Sequence, residues 1–294
     1  VYKSENIENF LSFVLLYEKL MGKIQDENGE FLTDKLEKEI ADACRLELAP
    51  DNMHHEDFLR KLSARKPGDP RVQLYTTNYD TLFEQAANRM NFTILDGFSF
   101  SYPRIFNGKN FDYDIVYRDH TRVKQEESFV PNAIQLFKLH GSINWEKESN
   151  GNIYQREKVE KPCIIYPASQ KYESSYEQPY FEMIAHLQQT LRKDGTLMIV
   201  VGFGFQDKHI QNIIKEAVLQ NLNFHLIIVC YGQMEIIKED CSKGWEDSGI
   251  TPNLVPDYIN EELDVKPNVT ILFSKFKSFV ENYPINDSYS NETL

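Results

Sequence analysis

Leu74-Tyr75-Thr76 is an apolar strand pattern that turns polar at Thr77-Asn78-Tyr79-Asp80. It then runs at once into Thr81-Leu82-Phe83-Glu84-Gln85-Ala86-Ala87, which reads as the start of a helix. That order restricts the fold more than any other feature of the chain. A strand that opens directly into a helix is the unit of an open α/β sheet, and such sheets present their chemistry at the carboxyl ends of the strands. Two later stretches have the same form. Phe137-Lys138-Leu139 runs into His140-Gly141-Ser142, and Leu197 to Val201 runs into Gly202-Phe203-Gly204-Phe205-Gln206-Asp207. Three strand ends carrying an amide, an imidazole and a glycine turn are expected to meet in one crevice.

The rest of the chain fits a Rossmann-like α/β fold: a mostly parallel sheet with helices on both faces, plus a helical cap. Residues 5 to about 66 read as helical. Phe10, Phe13, Val14, Tyr17 and Leu20 repeat at helical spacing, as do Leu32, Leu36 and Ile40. His54 and His55 begin a further short helix, where adjacent histidines point in different directions and read as solvated surface rather than metal ligands. From Arg71 strands and helices alternate, giving a domain over 71–283 behind a helical segment over 1–70. Residues 92–132 and 146–172 read as insertions, the second with a hairpin turn at Ser149-Asn150-Gly151-Asn152 and a short strand near Cys163-Ile164-Ile165. Pro179 to Leu191 is amphipathic, with Phe181, Ile184, Leu187 and Leu191 on one side. Asp207 suits the N-cap of a helix over Lys208 to Leu219. Phe224 to Cys230 and Val269 to Phe273 are strands, Phe276 to Tyr283 is a helix, and residues 284–294 form a flexible tail.

Composition narrows the function classes. The 294 residues carry 45 acidic against 32 basic side chains, a net charge of −13, which opposes a broad nucleic-acid face. No apolar run approaches the length a spanning helix needs. Cys44, Cys163, Cys230 and Cys241 lack C-x-x-C spacing and read as thiols of a reducing, cytoplasmic compartment, with neither zinc nor a disulfide framework expected. Residue 1 is Val, and the expectation is that the numbering begins inside a longer natural chain.

Each candidate residue also has a plain structural reading. Asn78 and Asp80 are good turn formers and helix caps, because their side chains bond the nearby backbone. His140 is either a satisfied structural histidine or, at a strand end beside Gly141, a general base whose ordinary pKa suits the role. Gly202-Phe203-Gly204 falls short of a full dinucleotide fingerprint. Its place before a helix N-terminus favours an anionic group, which Asp207 would partly oppose.

Taken together and in this order, the three strand ends resemble the sirtuin family. TTNYD resembles the sirtuin T-Q-N-[IV]-D motif, KLHGS resembles the strand with the catalytic His, and VVGFGF lies where sirtuins have a Gly-Thr-Ser turn. Tyr79, Phe203, Phe205 and the D-x-H-I that follows are similar to the sirtuin-like domains of bacterial antiphage defence proteins, which hydrolyse NAD. The resemblance covers about residues 71 to 232. It implies catalytic roles for Asn78, His140 and Asp80, and NAD contacts from Thr77, Asn78, Asp80, His140, Gly202, Phe203 and Gly204. It also implies self-assembly and a partner such as a HerA-type ATPase; from charge and hydropathy, no membrane or direct nucleic-acid binding is expected.

Two departures shape the expected activity. The sirtuin G-A-G-x-S loop that embraces the pyrophosphate has no counterpart before Arg71 and is expected to precede Val1, the alternative being that part of the cofactor site has been lost. The four-Cys zinc module usual in sirtuin deacylases is missing, since its interval holds only Cys163. The reading is therefore an NAD glycohydrolase that depletes NAD in antiphage defence. The alternatives are an NAD-dependent protein deacylase and a non-catalytic NAD or ADP-ribose sensor.

Overall fold

The structure, a computed structural model, describes residues 7–25, 27, 29–66, 69–117, 129–165, 178–205, 207–230 and 268–285. Cys241 and the expected tail past Ile285 lie outside those residues. The chain divides into two compact units, one within Val1–Met183 and one spanning Ile184–Pro284.

The first unit opens with three helices: α1 (Ile7–Met21), α2 (Leu32–Ala43) and α3 (His54–Ser63). The helical spacing is there, but the inward face of α1 differs from the expected one. Leu11 and Val14 are buried, whereas Phe13, Tyr17 and Leu20 are exposed.

Behind these helices lies a parallel three-stranded sheet of β1 (Gln73–Thr76), β2 (Thr93–Leu95) and β4 (Ala133–Lys138), in the order β1-β4-β2. Every residue of β4 is buried, as a central strand covered on both faces requires. Register alternates the two faces. Leu74, Ile94 and Ile134 lie in one cluster with Leu59 of α3 and with Ala86 and Ala87 of α4 (Leu82–Arg89). Burying each large side chain of this cluster contributes about 1.5–3 kcal/mol.

The opposite face is aromatic and amide-rich. Tyr75 stacks on Phe137 with ring centroids 4.5 Å apart, and Phe137 stacks on Phe111 at 4.1 Å. Tyr75 Oη donates to Gln73 Oε1 at 3.0 Å, Gln73 Nε2 to Gln135 Oε1 at 3.0 Å, and Gln135 Nε2 to the Phe111 carbonyl at 2.7 Å. Each buried amide thereby gains a partner, without which its burial would be unfavourable.

The segment read as a first insertion starts with a strand of the sheet itself. Thr93, Ile94 and Leu95 pair in parallel with Ala133, Ile134 and Gln135. At the end of β2, buried Asp96 accepts the forked guanidinium of Arg104 at 2.7 and 3.1 Å. Burial pushes the Asp96 carboxyl up, against the opposing pull of Arg104. Arg104 starts β3 (Arg104–Ile105), which with β5 (Trp145–Lys147) and β6 (Ile153–Gln155) forms a small antiparallel sheet in the order β3-β6-β5. The turn predicted at 149–152 joins β5 to β6, with Gly151 at φ +84°.

Helix α5 (Tyr180–Leu191) leads into the second unit. Its buried stripe is Tyr180, Met183, Leu187 and Leu191, while Phe181, expected on that side, is half exposed. The parallel sheet of this unit has the order β7-β8-β9, from β7 (Leu197–Val201), β8 (His225–Cys230) and β9 (Val269–Phe273). Helix α6 (Lys208–Gln220) buries Ile210, Ile214, Ala217 and Val218, and α7 (Phe276–Asn282) buries Phe279 and Val280. Burial pushes the Cys230 thiol up to about 11, which makes it an inert core residue.

Candidate functional site

The first unit brings two of the three predicted strand ends together. The last pair between β1 and β4 is Thr76↔Lys138. Asn78 and His140 each lie two residues beyond it, so they leave adjacent strands at the same level. Neighbouring strands run about 4.8 Å apart. Asn78 is exposed, Thr77 and Asp80 are half-buried, and His140 is buried at 8% exposure.

The backbone around them is tied at several points. Leu139 N–H donates to the Thr76 carbonyl at 2.8 Å, and Ile143 N–H to the Tyr79 carbonyl at 3.1 Å. Ile165 N–H donates to the His140 carbonyl at 2.9 Å, and Tyr79 Oη reaches the Ile165 carbonyl. Gly141 sits at φ +85°, and a Cβ there would collide with the Cys163 carbonyl, so glycine is required for this close approach. Thr76 Oγ1 accepts the Asn78 N–H at 3.1 Å, which turns the chain out of the strand. Asp80 Oδ1 accepts the Leu82 N–H at 3.0 Å, an Asx turn that leads into α4 one residue before its N-cap, Thr81.

Lys138 and Glu84, beside the site, were not singled out from the sequence, and His55 was read there as solvated surface. Lys138 is 2% exposed, with its ammonium among oxygens of Tyr79, Asp80, Glu84 and Ser142. Burial pushes the Glu84 carboxyl up, and its ion pair with Lys138 opposes that shift. His55, expected at the solvated surface, is half-buried and packs edge-on against Phe83 at 5.1 Å. Burial pushes its pKa down, and the charge of Asp80 pulls the other way. Asp80 also raises the Cys44 thiol, second to burial. The helical segment therefore lies within electrostatic reach of Asp80. A histidine in a helix and a lysine in a strand look solvated until their neighbours are known.

The third strand end belongs to the second unit. Gly202 takes φ +64°, and Phe205, 1% exposed, takes φ +55°. A buried bulky residue in the left-handed region is strained, a condition that clusters at functional sites. The Phe203 and Phe205 rings meet edge-on at 4.9 Å. Asp207 Oδ1 accepts the His209 N–H at 3.0 Å and the Ile210 N–H at 3.3 Å. Its carboxylate therefore occupies donors that an anionic ligand would otherwise use at this helix start.

A family model for the SIR2-like domain matches residues 72–253. The chain belongs to the SIR2-like family. No curated protein sequence matches it. The SIR2-like match begins at β1 and takes in all three strand ends. SIR2-like domains are usually NAD-dependent enzymes, and membership implies an NAD-related activity for this chain. Among the described residues, no group of three His, Cys, Asp or Glu side chains could hold a metal ion. No helix of this SIR2-like chain, among the same residues, is long and apolar enough to cross a membrane.

Proposed function

We propose that this SIR2-like chain is an NAD glycohydrolase, cleaving NAD and water to nicotinamide, ADP-ribose and a proton. The observation that carries the reading is the pairing of Asn78 and His140 at one level on adjacent strand ends, over a backbone tied from both sides.

In NAD the pyridinium is already a cationic leaving group, so the C1′–N bond can break with its electron pair passing to the ring nitrogen. No general acid is needed. The transition state gathers positive charge on the ribose, and the protein assists by fixing the ribose and placing a water. Asn78 holds that water or a ribose hydroxyl through its amide. His140 accepts the proton as the water oxygen bonds to C1′, then releases it to solvent. Asp80, tied to the start of α4, orients Asn78 or contacts the nicotinamide side, with part of its role structural. Thr77 completes the polar end of β1, and by the resemblance Gly202, Phe203 and Gly204 form a nucleotide-binding turn within the second unit. The cysteines support hydrolysis over deacylation, because 163 is the only cysteine position between His140 and Gly202.

The motif details at Tyr79, Phe203 and Phe205 extend the proposal to NAD depletion in antiphage defence. Self-assembly or a partner such as a HerA-type ATPase would hold that activity in check. The test is turnover in Asn78→Ala and His140→Ala. Each is expected to lose at least about 100-fold in kcat while keeping its circular dichroism spectrum. Turnover retained in both variants would remove the assignment.

A further inference from the structure

We propose that Lys138 is a positioning residue that sets the Tyr79–Thr81 peptides, and through them Asn78 and Asp80, for the reaction above. This inference rests on the proposed glycohydrolase reading. Lys138 is 2% exposed on the fully buried strand β4, on the face that α4 covers. Its ammonium lies 2.9 Å from Glu84 Oε1, 2.8 Å from Ser142 Oγ and 3.4 Å from the Tyr79 carbonyl, and it also meets the Asp80 carbonyl.

Stability alone is a poor explanation for this arrangement. Burying an ammonium is unfavourable unless it is paired and hydrogen-bonded, and apolar residues often fill such space as well or better. A methionine could fill the volume. It could not hold two successive backbone carbonyls.

That hold has a geometric consequence. A trans peptide is planar, so directing a carbonyl at Nζ turns the following N–H the opposite way. With the Tyr79 and Asp80 carbonyls both engaged, the Asp80 and Thr81 peptide planes are fixed; Asn78 immediately precedes that segment and Asp80 lies within it. Ser142 belongs to the His140-Gly141-Ser142 turn, and Ser142 Oγ also donates to the Tyr79 carbonyl at 3.3 Å. One ammonium thus joins the two turns that carry Asn78 and His140. Glu84 balances its charge, so the cation does not oppose the positive charge that develops on the ribose. Other ties, such as Ile143 N–H to the Tyr79 carbonyl, remain without Lys138, so its loss should loosen the segment rather than unfold the unit.

The experiment compares the wild type with Lys138→Met, Glu84→Gln and the double variant, by melting temperature, NAD kinetics and amide hydrogen exchange. Lys138→Met alone leaves the half-buried Glu84 without its partner and is expected to melt lower. The double variant removes both charges and is expected to recover the melting temperature to within a few degrees. Its kcat should stay at least tenfold down while KM changes less than threefold, and exchange over residues 77–82 should rise at least tenfold. Recovery of kcat together with stability would overturn the inference. So would unchanged exchange over 77–82, whether or not the wild type turns over NAD. NAD turnover that survives both Asn78→Ala and His140→Ala would instead remove the site assignment, leaving the exchange result to judge Lys138.

Discussion

Gly141 and Gly151 adopt nearly the same left-handed backbone, at φ +85° and +84°, yet their surroundings differ. A Cβ at Gly151 meets open space, whereas one at Gly141 runs into the Cys163 backbone. Gly151→Ala should therefore cost about 1 kcal/mol, the conformational term alone. Gly141→Ala adds a backbone displacement and should cost roughly 2–4 kcal/mol. Urea midpoints measured at a common m-value check the pair, and equal costs would contradict the account. Residues of the candidate site divide in the same way between local and distant causes. Asn78 and His140 were legible because polar residues at the ends of apolar strands stand out in the sequence. Lys138, Glu84 and His55 were not legible, because what distinguishes them is burial and partners far along the chain. The stripe of α5 was misread at Phe181 because two apolar spacings fit that helix, and only packing selects between them.

Among the elements, α6 is the clearest case of local sequence setting local structure. Asp207 was expected to cap it, and its carboxylate holds two of the free N–H groups at the helix start. Asp207→Ala should lower stability by about 1 kcal/mol, and Asp207→Asn by less. Chemical denaturation of both variants tests this, and an alanine variant as stable as the wild type would contradict it. Strands β7, β8 and β9 were visible as apolar runs, and β4 only by its end at Phe137-Lys138-Leu139. The three-residue β2 was not. Its pairing with Ala133–Gln135 is fixed by a partner some 40 positions away, and so short a segment carries no periodicity of its own.

For the molecule as a whole, the α/β class and the parallel pairing followed from the alternation of strands and helices. The partition into two compact units did not, since no linker composition marks residue 183. The central claim is NAD hydrolysis at the end of the β1–β4 pair, and product stoichiometry tests it most directly. The protein would be incubated with NAD, with and without a candidate partner, while nicotinamide and ADP-ribose are followed. The account predicts equimolar release of both products, lost in Asn78→Ala and in His140→Ala. NAD that binds but stays intact under both conditions, or release that persists in the two variants, would contradict it.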